Sequence, residues 1–171
     1  MKKNSSPVSL FKTLCPLCLR CLLFRSFSKL HLSKKSVTMK PCYCGLGKEY
    51  EQCCEPILKD QKKAQTAEAL MRSRYTAYTI ADIPYLVQST HPSQRHFYSA
   101  TDLKRWALSS KWVRLEILST EMGKASDTKG FVEFKAYFVD EDLVPQIHHE
   151  YSTFSKENGV WYFLKGELKT N

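Results

Sequence analysis

The sequence predicts an α+β fold: a small cysteine-rich knuckle, then about three helices, then an antiparallel sheet of at least four strands. Three observations predict it. Four cysteines cluster between Cys42 and Cys54. Apolar residues recur at helical spacing from 67 onward, and from 112 the chain turns to aromatic and β-branched runs separated by turn residues. Helices first and strands after place the helices together on one face of the sheet.

The 171 residues admit one domain with an appendage, and 43% apolar residues with nine Tyr and nine Phe suffice for a core. The formal charge of +9 is unevenly spread. Residues 1–38 hold eight basic residues and no acid, so 26 − 8 = 18 Lys and Arg remain against 17 acids, a balance of +1. A near-neutral body argues against a nucleic-acid partner.

Residues 1–38 read as a leader. Translation beginning at Met39 and an organelle transit peptide are the two leading readings, the second because the segment is basic and Ser-containing. A secretory signal fits less well, since Arg20 interrupts the apolar run, and that run is too short to span a membrane. A second metal site from Cys15, Cys18 and Cys21 is one ligand short. On each reading the segment is expected to be disordered or absent, and the location cytoplasmic, or organellar if the leader is a transit peptide.

The knuckle spans 41–57. Cys42-x-Cys44 and Cys53-Cys54 enclose eight residues, with Gly45 and Gly47 able to turn the loop back at positive φ. Two disulfides or four unlinked thiols are the competing readings, and a vicinal Cys53–Cys54 bridge would be strained. Four thiolates so spaced are the donor set of a closed tetrahedral zinc site, which is structural because no position stays open for substrate. Such binding supplies roughly 10–16 kcal/mol to a small fold.

The body spans 64–169. Thr66 N-caps a helix over 67–80, with Glu68 in its first turn. Arg74 lies on the edge of its apolar stripe and must snorkel or find an acidic or carbonyl partner; a structural ion pair is the plainer reading and a ligand-binding arginine the other. Asp82-Ile83-Pro84 opens a short helix through Val87, and His91-Pro92 closes it. A third helix covers 101–108 with Leu103, Trp106 and Ala107 on one side. Strands follow at 112–118, 130–139, 147–154 and 160–168, the last two joined by Asn158-Gly159, a strong hairpin signal.

The run Cys42-Tyr43-Cys44-Gly45-Leu46-Gly47-Lys48 with Tyr50, Cys53 and Cys54 resembles the SEC-C motif, named from the C-terminus of SecA. It departs at Tyr43 and Leu46, neither of them a ligand position. With Met71-Arg72-Ser73-Arg74-Tyr75, His149-Glu150-x-Ser152-x-Phe154 and Gly159-x-Trp161-Tyr162, residues 41–168 resemble the YchJ family. That resemblance implies a SnoaL-like, nuclear-transport-factor-two-like cone: a curved sheet wrapped on helices around a pocket. It also implies a short form, since many members carry a second SEC-C motif where this sequence ends at Asn171.

The pocket candidates are Arg74, Tyr75, Tyr78, His91, Trp106 and His149. Strand alternation sets Ile147, His149 and Tyr151 on one face and His148, Glu150 and Phe154 on the other, and the sequence leaves open which face points inward. No catalytic residue is assigned. The expected function is a zinc-stabilised binding or scaffold protein, its knuckle meeting a protein partner through Lys48 and Tyr50 and its cone offering a small-molecule pocket. The alternative is a small-molecule isomerase, dehydratase or hydrolase with a pocket His as general acid/base.

Overall fold

In the computed structural model, residues 40–170 are described; the readings of 1–38 and of Cys15, Cys18 and Cys21 lie outside the described residues. Helix α1 (Glu55–Leu58) follows the knuckle directly, and α2 (Ala67–Ile80), α3 (Ile83–Gln88) and α4 (Ala100–Ser109) precede the strands. The strands are β1 (Lys111–Met122), β2 (Lys129–Val139), β3 (Pro145–Glu157) and β4 (Val160–Leu168). Helix α1 and the 3₁₀ turns Tyr50–Gln52 and Pro92–Phe97 are elements the sequence reading passes over. All three are at most six residues long, too short to show a period.

Helix boundaries follow the capping chemistry. Thr66 Oγ1 accepts from Ala69 N at 3.0 Å, Asp82 Oδ1 from Tyr85 N at 3.1 Å and Ser99 Oγ from Asp102 N at 3.4 Å. Pro84 sits in the first turn of α3, where no N–H is needed.

The four strands form one antiparallel sheet in the order β1-β2-β3-β4. Asn158 and Gly159 both take positive φ at the β3–β4 turn, as a two-residue hairpin whose turn follows the strand twist requires. Register shifts in β1 and at Thr153/Phe154 mark bulges, which bend strands. Helix α2 lies against β1, β2 and β4 together. Val132, Phe134 and Ala136 of β2 alternate inward to meet Leu70, Met71 and Tyr75, with Phe154, Trp161 and Phe163 closing the core. The free edge of β4 is partly covered by the chain after α3: Phe163 N donates to Ser89 O at 2.9 Å and His91 N to Phe163 O at 2.8 Å. The architecture is therefore α+β, with the helices collected on one face of an open sheet and the cysteine knuckle in front.

Candidate metal centre and cone cavity

The knuckle is a tight loop closed by its own backbone. Cys42 N donates to Lys48 O at 2.8 Å and Tyr50 N to Lys40 O at 2.8 Å, while Gly45 and Gly47 turn the chain at φ 72° and 75°. Cys53 ends the 3₁₀ turn with φ −117° and ψ −93°, and Cys54 opens α1. That change of direction lets two adjacent residues face the same point. The sulfur atoms of Cys42, Cys44, Cys53 and Cys54 all lie within 4.8 Å of one another, with Cys44 and Cys53 at 3.5 Å and Cys53 and Cys54 at 4.0 Å. A tetrahedron of thiolates at the usual zinc–sulfur length has edges of about 3.8 Å. All four cysteines are free thiols, and three are buried.

Crowding four thiols makes ionisation of the set self-limiting. Hydrogen bonds from Cys44 and then Cys54 hold the Cys42 thiol well below its ordinary value. Burial, reinforced by Cys44, pushes Cys53 up to about 12, and hydrogen bonding to Cys42 and Cys44 pushes Cys54 up as well. The quartet has the donors, spacing and shielding for a closed divalent-cation site, and a cation is what would let all four sulfurs carry charge together.

One polar tie between this loop and the body is a side chain of α2. Arg72 on α2 donates from Nη1 to Cys44 O at 2.9 Å, and its Nε pairs with Glu68 at 2.7 Å, one turn earlier. In the sequence Arg72 draws notice only within the run Met71-Arg72-Ser73-Arg74-Tyr75, and no spacing there points to a contact 28 residues upstream.

Behind α2 the body encloses a cavity of about 460 Å³. Its walls are largely aromatic: Tyr75, Tyr78, Trp106, Trp112, Phe134 and Phe163 all border it. Tyr78, Trp106 and Trp112 form a triangle of rings with centroids 5.0–5.4 Å apart. Burial raises Tyr75 to about 12 and lifts Tyr78 too, so both phenols stay protonated, as donors, at neutral pH.

The polar lining gathers on β3 and α2. His148 Nε2 and Glu150 Oε2 are 2.8 Å apart, and Ser152 donates to the other carboxylate oxygen. Burial acts to raise the Glu150 pKa, but the bonds from His148 and Ser152 and the positive charge of Arg74 outweigh it, so the carboxyl stays ionised below the usual range. Gly166 on β4 stands opposite, and a Cβ there would overlap the Glu150 carboxyl group. Arg74 is only 7% exposed. Its Nη1 donates to Leu86 O at 2.9 Å, Ser89 Oγ at 2.7 Å and Thr90 Oγ1 at 3.2 Å, and its guanidinium lies 4.4 Å over the Phe163 ring. The structural ion pair expected for Arg74 is absent among the described residues; the neutral oxygens at the end of α3, where the helix dipole is negative, take its place.

Of the six pocket candidates, Arg74, Tyr75, Tyr78 and Trp106 border the cavity. His91 and His149, expected there, lie elsewhere. His91 is held beside the β3–β4 hairpin by Glu157 at 2.7 Å and Ser93 at 2.7 Å. His149 bonds Glu133 at 2.9 Å on the other face of the sheet. The register decides this: Glu150 pairs with Phe134, whose ring faces the core, so His148, Glu150, Ser152 and Phe154 go inward and His149 goes outward. Phe154 carried that parity in the sequence, but Ile147 and Tyr151 gave the opposite face an equal apolar claim.

Fold and site together define a cysteine-knuckled protein with a nuclear-transport-factor-two-like cone. Residues 66–166 match the family described as "YchJ, middle NTF2-like domain". A UPF0225 protein of Geobacter sulfurreducens is 46% identical over 125 residues, 73% of this chain and 77% of the relative. A Vibrio cholerae UPF0225 protein is 40% identical over 127 residues, 74% of this chain and 82% of its own length. Among solved structures, a SEC-C motif containing protein from Rhodopseudomonas palustris superposes with a TM-score of 0.70 at 38% identity, covering 77% of this chain and all of the other. Another, from Psychrobacter arcticus, gives 0.63 at 33% identity over 80% and 85% of the two chains. The chain belongs to the YchJ (UPF0225) family. Among the described residues no helix is long and apolar enough to cross a membrane.

Proposed function

We propose that this protein is a metal-stapled small-molecule binder, with a structural zinc ion held by Cys42, Cys44, Cys53 and Cys54. One observation carries the reading: an aromatic-walled cavity of about 460 Å³ with the ionisable groups Arg74, His148 and Glu150 in its lining, a size and composition typical of ligand sites. The metal's contribution is to fix the loop; the chemistry of recognition belongs to the cone. Free, clustered thiols suit a reducing compartment, the cytoplasm. The outward side of the knuckle, where Leu46 is 45% exposed beside Lys48, is the surface offered to a protein partner.

The test is a fragment screen on the purified protein, read by the fluorescence of Trp106 and Trp112 in the cavity wall. Saturable quenching that disappears in Ala136→Trp, which fills the cavity, supports the reading. A screen of aromatic and aliphatic fragments that yields no saturable change at millimolar concentration overturns it.

The His148–Glu150 contact at 2.8 Å favours a second reading, in which the bound molecule also exchanges a proton with His148. The two readings part on one measurement. A binder returns its ligand unchanged after prolonged incubation; an acid/base enzyme returns a product, and His148→Gln abolishes that conversion while leaving the ligand bound.

A further inference from the structure

We propose that the cavity selects an organic anion, a carboxylate on a flat apolar body, and that Arg74 is the group that receives its charge. This rests on the small-molecule reading above and narrows it to a ligand class. The argument is one of unmet electrostatic demand. Glu150, the carboxylate bordering the same space, is already answered on both oxygens, by His148 on one and Ser152 on the other. Arg74 is answered by a carboxylate only at a distance, through the Glu150 charge that it helps to hold ionised, and among the described residues no carboxylate touches it. Its three acceptors are a carbonyl and two hydroxyls, all on Nη1, and no carboxylate among the described residues lies within ion-pairing distance of it.

Nε and Nη2 of Arg74 have no hydrogen-bond partner among the described residues. Neither is sealed from accessible space, since among the described residues the one buried unpartnered side-chain nitrogen or oxygen is His149 Nδ1. The space that Arg74 borders is the cavity. A residue more than nine-tenths buried, its guanidinium anchored by one nitrogen, thus keeps donors for something that enters from outside. The planar fork suits a carboxylate, which takes two parallel N–H bonds. The Tyr78, Trp106 and Trp112 rings supply the apolar faces for the rest of the ligand. A cationic ligand has the opposite problem, because it must displace the donors on Glu150 and sit near Arg74.

The experiment compares three isosteric probes on the full chain at one pH by tryptophan quenching: 2-naphthoate, 2-naphthamide and 2-naphthylmethylamine. The expected result is that naphthoate binds roughly tenfold to a hundredfold more tightly than the amide, the worth of a charge-assisted over a neutral hydrogen bond. Equal binding of acid and amide overturns the anion assignment and leaves the small-molecule reading standing. Preference for the amine overturns it too, and transfers recognition to Glu150. If none of the three binds, the anion assignment falls together with the cavity's capacity for aromatic ligands. Arg74→Lys keeps the charge without the fork and should lose most of the preference. Because Arg74 also holds the end of α3, Glu150→Gln serves as a second variant: removing a like charge should tighten naphthoate several-fold, and weaker binding counts against Arg74.

Discussion

Cys53 and Cys54 are neighbours in sequence and still present their sulfurs to one point, because the backbone turns sharply between the 3₁₀ turn and α1. Replacing either with Ser should lower the metal bound per chain toward none, read by elemental analysis of purified protein; unchanged metal would sink the site. Glu150 makes a different prediction. Its folded-state pKa lies below the unfolded value, so its contribution to stability is present above the unfolded pKa of about 4.3 and is lost as pH falls through the lower, folded pKa. Glu150→Gln should therefore flatten the acid limb of the stability curve in denaturant titrations. A variant with an unaltered acid limb would show that the carboxylate is not held ionised by His148 and Ser152.

At the scale of elements, β3 and β4 compose the polar side of the cavity through their pairing. Ser152 lies opposite Gly166, and the absent side chain there is what leaves room for the Glu150 carboxyl. Gly166→Ala should cost about 1–3 kcal/mol by overpacking and detach Glu150 from His148, visible as a shift in the His148 ring resonances. Much of this element layer was legible beforehand. Thr66 and the 3.6-residue stripe placed α2 to the residue, and Asn158-Gly159 placed the last hairpin, because capping and turn chemistry are local. The inward face of β3 was not legible. Parity within one strand depends on which neighbour it pairs with, and Phe134, ten or more residues away across a loop, fixes it. β1 also runs on to Met122, four residues past the expected end at Leu118, because its pairing with β2 continues through a register shift at Ile117/Ser119 to Gly130.

For the whole molecule, the knuckle and the cone belong to one compact unit. The cysteine spacing announced the first part and the helix-then-strand order the second, while the ties between them include a guanidinium on a main-chain carbonyl, a contact that no spacing rule singles out. Chelation should lower the melting temperature of the protein as a whole rather than melt the loop alone, because α2, to which the loop is tied, is also the helix on which the sheet packs. Two separate calorimetric transitions on zinc removal would contradict that.

Arg72 and Arg74 sit two positions apart on this helix, one grasping the sulfur-bearing loop and the other floored beneath the hollow of the cone. A rigid rod gripped at both sides cannot shift toward one without moving the other. Stripping the ion should thus blunt the hollow's affinity for naphthoate, and Arg72→Ala with its metal retained should do the same from the far side of the rod. The hollow's hold on its ligand would then depend on the ion at the loop.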